Sequence, residues 1–201
     1  MVADPLRLMD ICATSDGGAA LIVSSLEYAR KIGKSDAPRV AAISTVTPTF
    51  ASSVVEMPDI ATDSAAAAGI EAHAYRSALP LKAYEEAGIG PEDVDLAEVY
   101  DLSTALELDW IEDLRLAPRG EATALLRAGD TALGGKIPVN VSGGLACFGE
   151  AVPAQALAQK DFQDGVEGHA VGRPSKTMPL VLIQDIGHFN SCLLHLLDHD
   201  V

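Results

Sequence analysis

Val94-Asp95-Leu96-Ala97-Glu98-Val99-Tyr100 alternates enough to form a strand, and Ser103 to Leu114 follows it with a helical pattern. Ala105, Leu108 and Ile111 fall on one stripe of that helix. A strand handing over to a helix is the repeating unit of layered α/β folds. The pattern continues downstream. Arg119 to Ala128 reads as a short helix, Thr131 to Lys136 is glycine-rich, and Pro138 to Val141 is extended before Ser142-Gly143-Gly144. Gly149 to Lys160 is helical after its loop. Met178 to Asp185 and Ser191 to Leu197 are two apolar runs joined by a short link, which predicts a hairpin. Upstream, Ala19 to Ser24 is a continuous apolar run and predicts a buried strand. Ser25 opens a short helix to about Ile32, and Gly33 stops it. Arg39 to Val46 is rich in β-branched residues and predicts another strand. Thr47 to Thr62 reads as a long loop, and Asp63 to Ala87 as a helical region that Pro80 breaks or kinks. Asp10 to Gly18 is polar and turn-like.

Composition narrows the function classes. Hydrophobic residues make up 48% of the 201 positions and aromatics only 4%, so the core is built from Ala, Val, Leu and Ile. The formal net charge is −15, which argues against nucleic acid and anionic membranes as partners, since both recruit basic patches. No window is apolar enough and long enough to span a bilayer. Cys12, Cys147 and Cys192 have no pair spacing, so neither a disulfide framework nor a zinc site is expected, and a reducing cytoplasm is the simplest context.

Three segments, in order, carry a family resemblance. Ser15-Asp16-Gly17-Gly18-Ala19-Ala20 resembles the SDGAAA turn-and-strand of thiolases. Glu98-Val99-Tyr100-Asp101-Leu102-Ser103 resembles the E-x-H-D-C-F-S segment of sterol-carrier-protein-type, or lipid-transfer-protein, thiolases. Gly134-Gly135-Lys136 with Val139-Asn140-Val141-Ser142-Gly143-Gly144-Leu145 resembles their GGK…xNPSGGL segment. The helix LELDWIEDLR, from Leu106 to Arg115, resembles the one after their HDCF motif. The resemblance runs from about Asp4 to Leu197. It implies a thiolase-like layered α/β fold, a mixed five-stranded sheet covered by helices, with only the C-terminal domain present. Residues 1–34 are then the last strand and helix of the N-terminal half, and residues 35–201 the C-terminal domain. The half with the nucleophilic Cys is missing, so the chain is either an excised domain or the product of a split protein.

The same resemblance locates the chemistry. The family's C-terminal half supplies a His in the HDCF segment and another in a G-H-P-x-G turn. These positions hold Tyr100 and, within Gly149-Glu150-Ala151-Val152-Pro153, Glu150. The terminal C-x-G of classical members falls near Asp185-Ile186-Gly187-His188-Phe189, which has no Cys. Histidine exchanges protons near neutral pH, whereas tyrosine titrates at about 10 and glutamate at about 4.3. A tyrosine can hydrogen-bond a developing oxyanion or enolate, and a desolvated glutamate can act as base or acid. The pair suits aldol or retro-aldol chemistry on an acyl-CoA. Related aldolases of steroid side-chain degradation use tyrosines here, a pattern that Tyr100 fits and Glu150 departs from.

Structural readings stand beside these. Tyr100 reads equally as a core tyrosine with a satisfied hydroxyl, and Glu150 as a first-turn helix residue. Cys147 reads as an inert thiol. His188 reads as a turn residue, His195 and His199 as surface residues, and Asp10 and Asp16 as turn-fixing rather than metal-binding. Ser142, Gly143 and Gly144 either bring backbone N–H groups to a thioester or form a tight turn. The functional expectation is thus part of an acyltransferase or aldolase acting on carbon–carbon bonds of lipid or steroid acyl-CoA, with coenzyme A thioester as substrate and no covalent cofactor. The alternative is a non-catalytic scaffold that binds acyl-CoA or lipid. Expected partners are the chain's own N-terminal half or a partner subunit, further copies of itself, and an OB-fold protein with a zinc ribbon.

Overall fold

The computed structural model describes residues 1–2, 4–34, 39–46, 74–151, 154, 157, 177–186 and 189–198. Among them lie helix α1 (Leu26–Lys31), strand β1 (Arg39–Val46), α2 (Ala74–Ala87), β2 (Leu96–Glu98), α3 (Thr104–Asp113), α4 (Ala122–Ala128), α5 (Gly144–Phe148), β3 (Thr177–Ile186) and β4 (Phe189–Asp198).

The four strands form one mixed sheet in the order β1-β4-β3-β2. The predicted hairpin is present: β3 and β4 run antiparallel from Ile186↔Phe189 to Thr177↔Asp198. β4 is also antiparallel to β1, and β3 is parallel to β2 through Leu96↔Leu180, Ala97↔Val181 and Glu98↔Leu182. The extended run after Pro138 adds a single parallel bridge, Val139↔Ala97, on the far side of β2. The sheet of the described residues therefore has four strands, with one bridged position beside β2. Pro138 has no N–H to give, and Asn140 turns the chain at φ 50°, so pairing stops after one residue.

α2 packs on β1 and β4 and touches α3. It continues through Pro80 rather than ending there. The lost hydrogen bond and ring clash, worth about 3 kcal/mol, are offset by burial of Leu79, Ala83 and Tyr84. The Tyr84 hydroxyl donates to the Leu114 carbonyl at 3.0 Å. In α3 the buried face is Leu106, Trp110 and Ile111, while Ala105 is exposed and Leu108 half-buried. The expected stripe is therefore rotated. Fully buried Trp110 sets the rotation, because a ring of that size must face the core. Ser103 caps α3, accepting from Leu106 N at 3.2 Å, and Ser25 caps α1.

Ala19–Ser24 departs from expectation: it forms no strand, and Ile22 and Val23 are 100% and 84% exposed. An apolar run becomes a strand only beside another strand, and none pairs with it among the described residues. The expected loop at residues 47–62, the helical stretch at residues 63–73, most of the helix at residues 149–160, and His188 and His199 lie outside the described residues. His195 lies within β4, where its backbone pairs with Val40 and Leu180. Asp10 fixes a turn by accepting from Arg7 N at 2.8 Å. No helix among the described residues is long and apolar enough to cross a membrane.

Candidate functional site

The site is built where the C-terminal end of β2 meets two glycine turns. Beyond β2 the chain presents Tyr100 and Asp101, each 7% exposed, before Ser103 starts α3. Glu150 follows Gly149, whose φ of 75° reverses the chain after α5. The Tyr100 hydroxyl donates to the Glu150 carboxylate, so two side chains fifty residues apart in sequence meet. Glu150 also lines an open cleft of about 370 Å³ with Thr14, Ser15, Asp16, Gly17 and Ala151. Tyr100 is thus a buried tyrosine with a satisfied hydroxyl whose partner faces a cleft. Glu150 lies in no helix, so it is not a first-turn residue.

A second set of contacts fixes the loop beside this pair. Glu98 is fully buried, and its carboxylate accepts from Ser142 N at 2.9 Å and Ser142 Oγ at 2.6 Å. Ser142 Oγ in turn accepts from Gly144 N at 3.1 Å, and Gly143 N donates to the Asn140 carbonyl at 2.9 Å. Asn140 Oδ1 accepts from Val99 N at 2.7 Å. Asp101 Oδ1 accepts from Leu145 N at 2.8 Å. The amides of Ser142, Gly143 and Gly144 are therefore all engaged within the protein, as in a tight turn. Gly144, at φ 59°, lies so close to Asp101 that a Cβ would meet its carboxylate oxygen at 2.2 Å. Only glycine fits there.

Electrostatics follow first from burial and then, for Cys12 and Glu107, from neighbouring carboxylates. Burial raises the Asp101 carboxyl above its usual range, while N–H donation from Leu145 opposes the rise. Burial also raises the Cys12 thiol, and the charges of Glu150 and then Asp101 raise it further. A thiol held protonated is a poor nucleophile. Cys147 is an exposed free cysteine. Among the described residues, no group of three His, Cys, Asp or Glu side chains is placed to hold a metal ion.

Comparison with known proteins places this chain in a family. The model of thiolase C-terminal domain-like proteins matches residues 48–192. The chain belongs to that family. Relatives of this thiolase C-terminal domain include sterol carrier protein 2 of Rattus norvegicus, 38% identical over 79% of this chain. The benzoylsuccinyl-CoA thiolase subunit BbsB of Thauera aromatica is 35% identical over 79% of it. A steroid side-chain-cleaving aldolase of Thermomonospora curvata is 31% identical over 71% of it. The chain spans 27%, 38% and 34% of those three proteins. Among solved structures, the Ltp2-ChsH2(DUF35) aldolase superposes with a TM-score of 0.74 at 24% identity, over all of this chain and 50% of that one. The thiolase-like α/β fold expected from the three motif segments is thereby established.

Several residues of this thiolase C-terminal domain's site were not singled out from sequence. Glu98 and Asp101 lay inside the E-x-H-D-like segment, and Asn140 inside the segment ending in SGGL, so the motifs contained the signal. Glu107 had none. Burial raises its carboxyl from 4.5 to about 7, with added repulsion from Asp101 and then Glu98. A carboxyl whose pKa is higher folded than unfolded takes up a proton on folding between pH 4.5 and about 7. Its contribution to stability is therefore lost as pH rises through that window. Glu107→Gln is expected to stabilise the protein above pH 7 by roughly 1–3 kcal/mol and to change little near pH 4. Chemical denaturation at the two pH values measures the difference.

Proposed function

We propose that this chain is the C-terminal part of an enzyme that makes or breaks carbon–carbon bonds in acyl-CoA thioesters, with Tyr100 and Glu150 as its proton-transfer pair. The hydrogen bond from Tyr100 to Glu150 at the edge of a cleft carries this reading. In the aldol direction of cleavage, a substrate β-hydroxyl gives its proton to the Tyr100 oxygen as Tyr100 passes its own to Glu150. The carbon–carbon bond then breaks, its electron pair forming the enolate of the shorter thioester, and the pair returns a proton to that α-carbon. The carbonyl fragment leaves. A tyrosine–carboxylate pair serves this chemistry because it needs a base and an enolate donor at one place. The names of the relatives, which include a CoA thiolase subunit and a steroid side-chain-cleaving aldolase, support the substrate class.

In this reading residues 1–34 close the preceding half and residues 35–201 form the C-terminal domain. The exposed Ile22 and Val23, and the partner-less run around them, support that boundary. The missing half, in the same chain or a separate subunit, brings the nucleophilic Cys if there is one, while the five-stranded sheet belongs to the C-terminal domain itself. Ser142, Gly143 and Gly144 are assigned to the wall along the thioester arm, through close approach of backbone rather than through N–H donation. The DUF35 component in the name of the aldolase structure supports a partner subunit, and the family resemblance makes an OB-fold protein with a zinc ribbon the candidate. The free thiols of Cys12 and Cys147 support a cytoplasmic setting.

The test is to combine the chain with the half that completes it and assay β-hydroxyacyl-CoA cleavage by mass spectrometry. Formation of a shorter acyl-CoA and a carbonyl product is expected. A complete complex whose turnover is untouched by Tyr100→Phe plus Glu150→Gln would make this chain a non-catalytic scaffold.

A further inference from the structure

The segment Ile11–Ser15 reaches both members of the pair. At one end Cys12 N donates to the Leu102 carbonyl at 2.9 Å, and Ile11 forms an antiparallel bridge with Ser103, directly after Tyr100-Asp101. At the other end Glu150 is held on both sides of its peptide: Glu150 N donates to the Ala13 carbonyl at 2.8 Å and Ser15 N donates to the Glu150 carbonyl at 3.1 Å. Thr14 and Glu150 form a parallel bridge there. The approach at this end is close. A Cβ on Gly149 would meet the Ala13 carbonyl oxygen at 2.7 Å and Ser15 Cβ and Oγ at 2.8 Å, and its φ of 75° disfavours any other residue.

We propose that Ile11–Ser15 is a splint that holds Tyr100 and Glu150 in register, with Ala13, Ser15 and Gly149 as positioning residues for the pair. Glu150 occupies a single bridged position, outside any helix or longer strand that would fix its side chain. Its backbone is instead anchored to a short extended segment that is anchored again beside Tyr100. Three main-chain hydrogen bonds therefore set the distance over which the two side chains meet. A displacement of about 1 Å between reacting groups can lower turnover roughly 100-fold. The segment lies within residues 1–34, so the preceding half contributes positioning to a pair that the C-terminal domain supplies.

The pairing can be read without turnover. In the full-length protein carrying tyrosine labelled with ¹³C at Cζ, the Tyr100 resonance is the one lost in Tyr100→Phe. Glu150→Gln gives the position of that resonance without the carboxylate. Ser15→Pro removes the N–H that Glu150 accepts, and Gly149→Ala forces the two segments apart. Both are expected to move the resonance at least half-way to its Glu150→Gln position and to lower turnover at least 10-fold. A merely structural role would lower the melting temperature and leave the resonance in place, and that result in both variants overturns the proposal. Should either variant fail to fold, amide exchange in the unaltered protein decides. The Cys12, Ser15 and Glu150 amides are expected to be protected together, and free exchange of Ser15 and Glu150 overturns the splint. The inference rests on the proposed function only in calling the pair catalytic: a resonance that moves while turnover stays constant sinks that function and leaves the splint standing.

Discussion

Glu150→Gln and Tyr100→Phe are each expected to lower carbon–carbon bond cleavage by the completed protein roughly 10²–10⁴-fold, the range for loss of a positioned acid or base. Glutamine keeps the size of Glu150 and a hydrogen bond from Tyr100 but cannot take a proton. Phenylalanine keeps the buried ring of Tyr100, which is only 7% exposed, and removes the hydroxyl that donates to the Glu150 carboxylate. The loss is expected in kcat, with KM changed less than threefold, because neither group is needed to bind the thioester arm. The double variant is expected to be no more than about tenfold slower than the worse single one. Groups that act as a unit lose their shared function once. Steady-state kinetics on the three variants check this. Additive losses would mean two independent roles instead of one relay.

Glu98→Ala is expected to have the largest effect on stability. Glu98 is 0% exposed and accepts from both the amide and the hydroxyl of Ser142. Removing it leaves two part-buried donors without their acceptor. Each orphaned group costs about 1–3 kcal/mol, so about 3 kcal/mol in total is a conservative expectation. For a domain of this size that lowers the melting temperature by roughly 6–12 °C. Glu98→Gln keeps an accepting oxygen and is expected to lose less than half as much. Differential scanning calorimetry separates the two. The loop Ser142–Gly144 should loosen in the alanine variant, since Gly144 N depends on the same hydroxyl at 3.1 Å.

Much of this architecture was legible in the sequence because local chemistry matched the outcome. Ser25 and Ser103 marked helix starts that they cap, and the two apolar runs near the C-terminus form the expected hairpin. Tyr100 and Glu150 were placed by motif position, and they meet. Other features lay beyond local pattern. Ala19–Ser24 has the composition of a strand, but a strand is a property of two segments, and no described segment of this chain pairs with it. Pro80 ought to interrupt a helix, yet tertiary burial of Leu79 and Ala83 outweighs the local penalty. Asp10–Gly18 looked like a polar turn because its side chains are polar. Its structural role is carried by backbone N–H and C=O groups, which leave no signature in side-chain type. The raised pKa of Glu107 likewise arises from tertiary burial first and then from Asp101 and Glu98, none of which helical periodicity reveals.

The central claim is that Tyr100 and Glu150 form one proton-transfer unit for cleaving a carbon–carbon bond. The most direct test supplies the completed protein with a β-hydroxyacyl-CoA deuterated at its α-carbon and follows the shorter acyl-CoA product in ordinary water by mass spectrometry. The account predicts a shorter acyl-CoA carrying one new solvent-derived hydrogen at the α-carbon, formed at a rate that falls at least 100-fold in Glu150→Gln. Product formed at an unchanged rate in Glu150→Gln, or cleavage seen only with a β-ketoacyl-CoA and free coenzyme A, would contradict it.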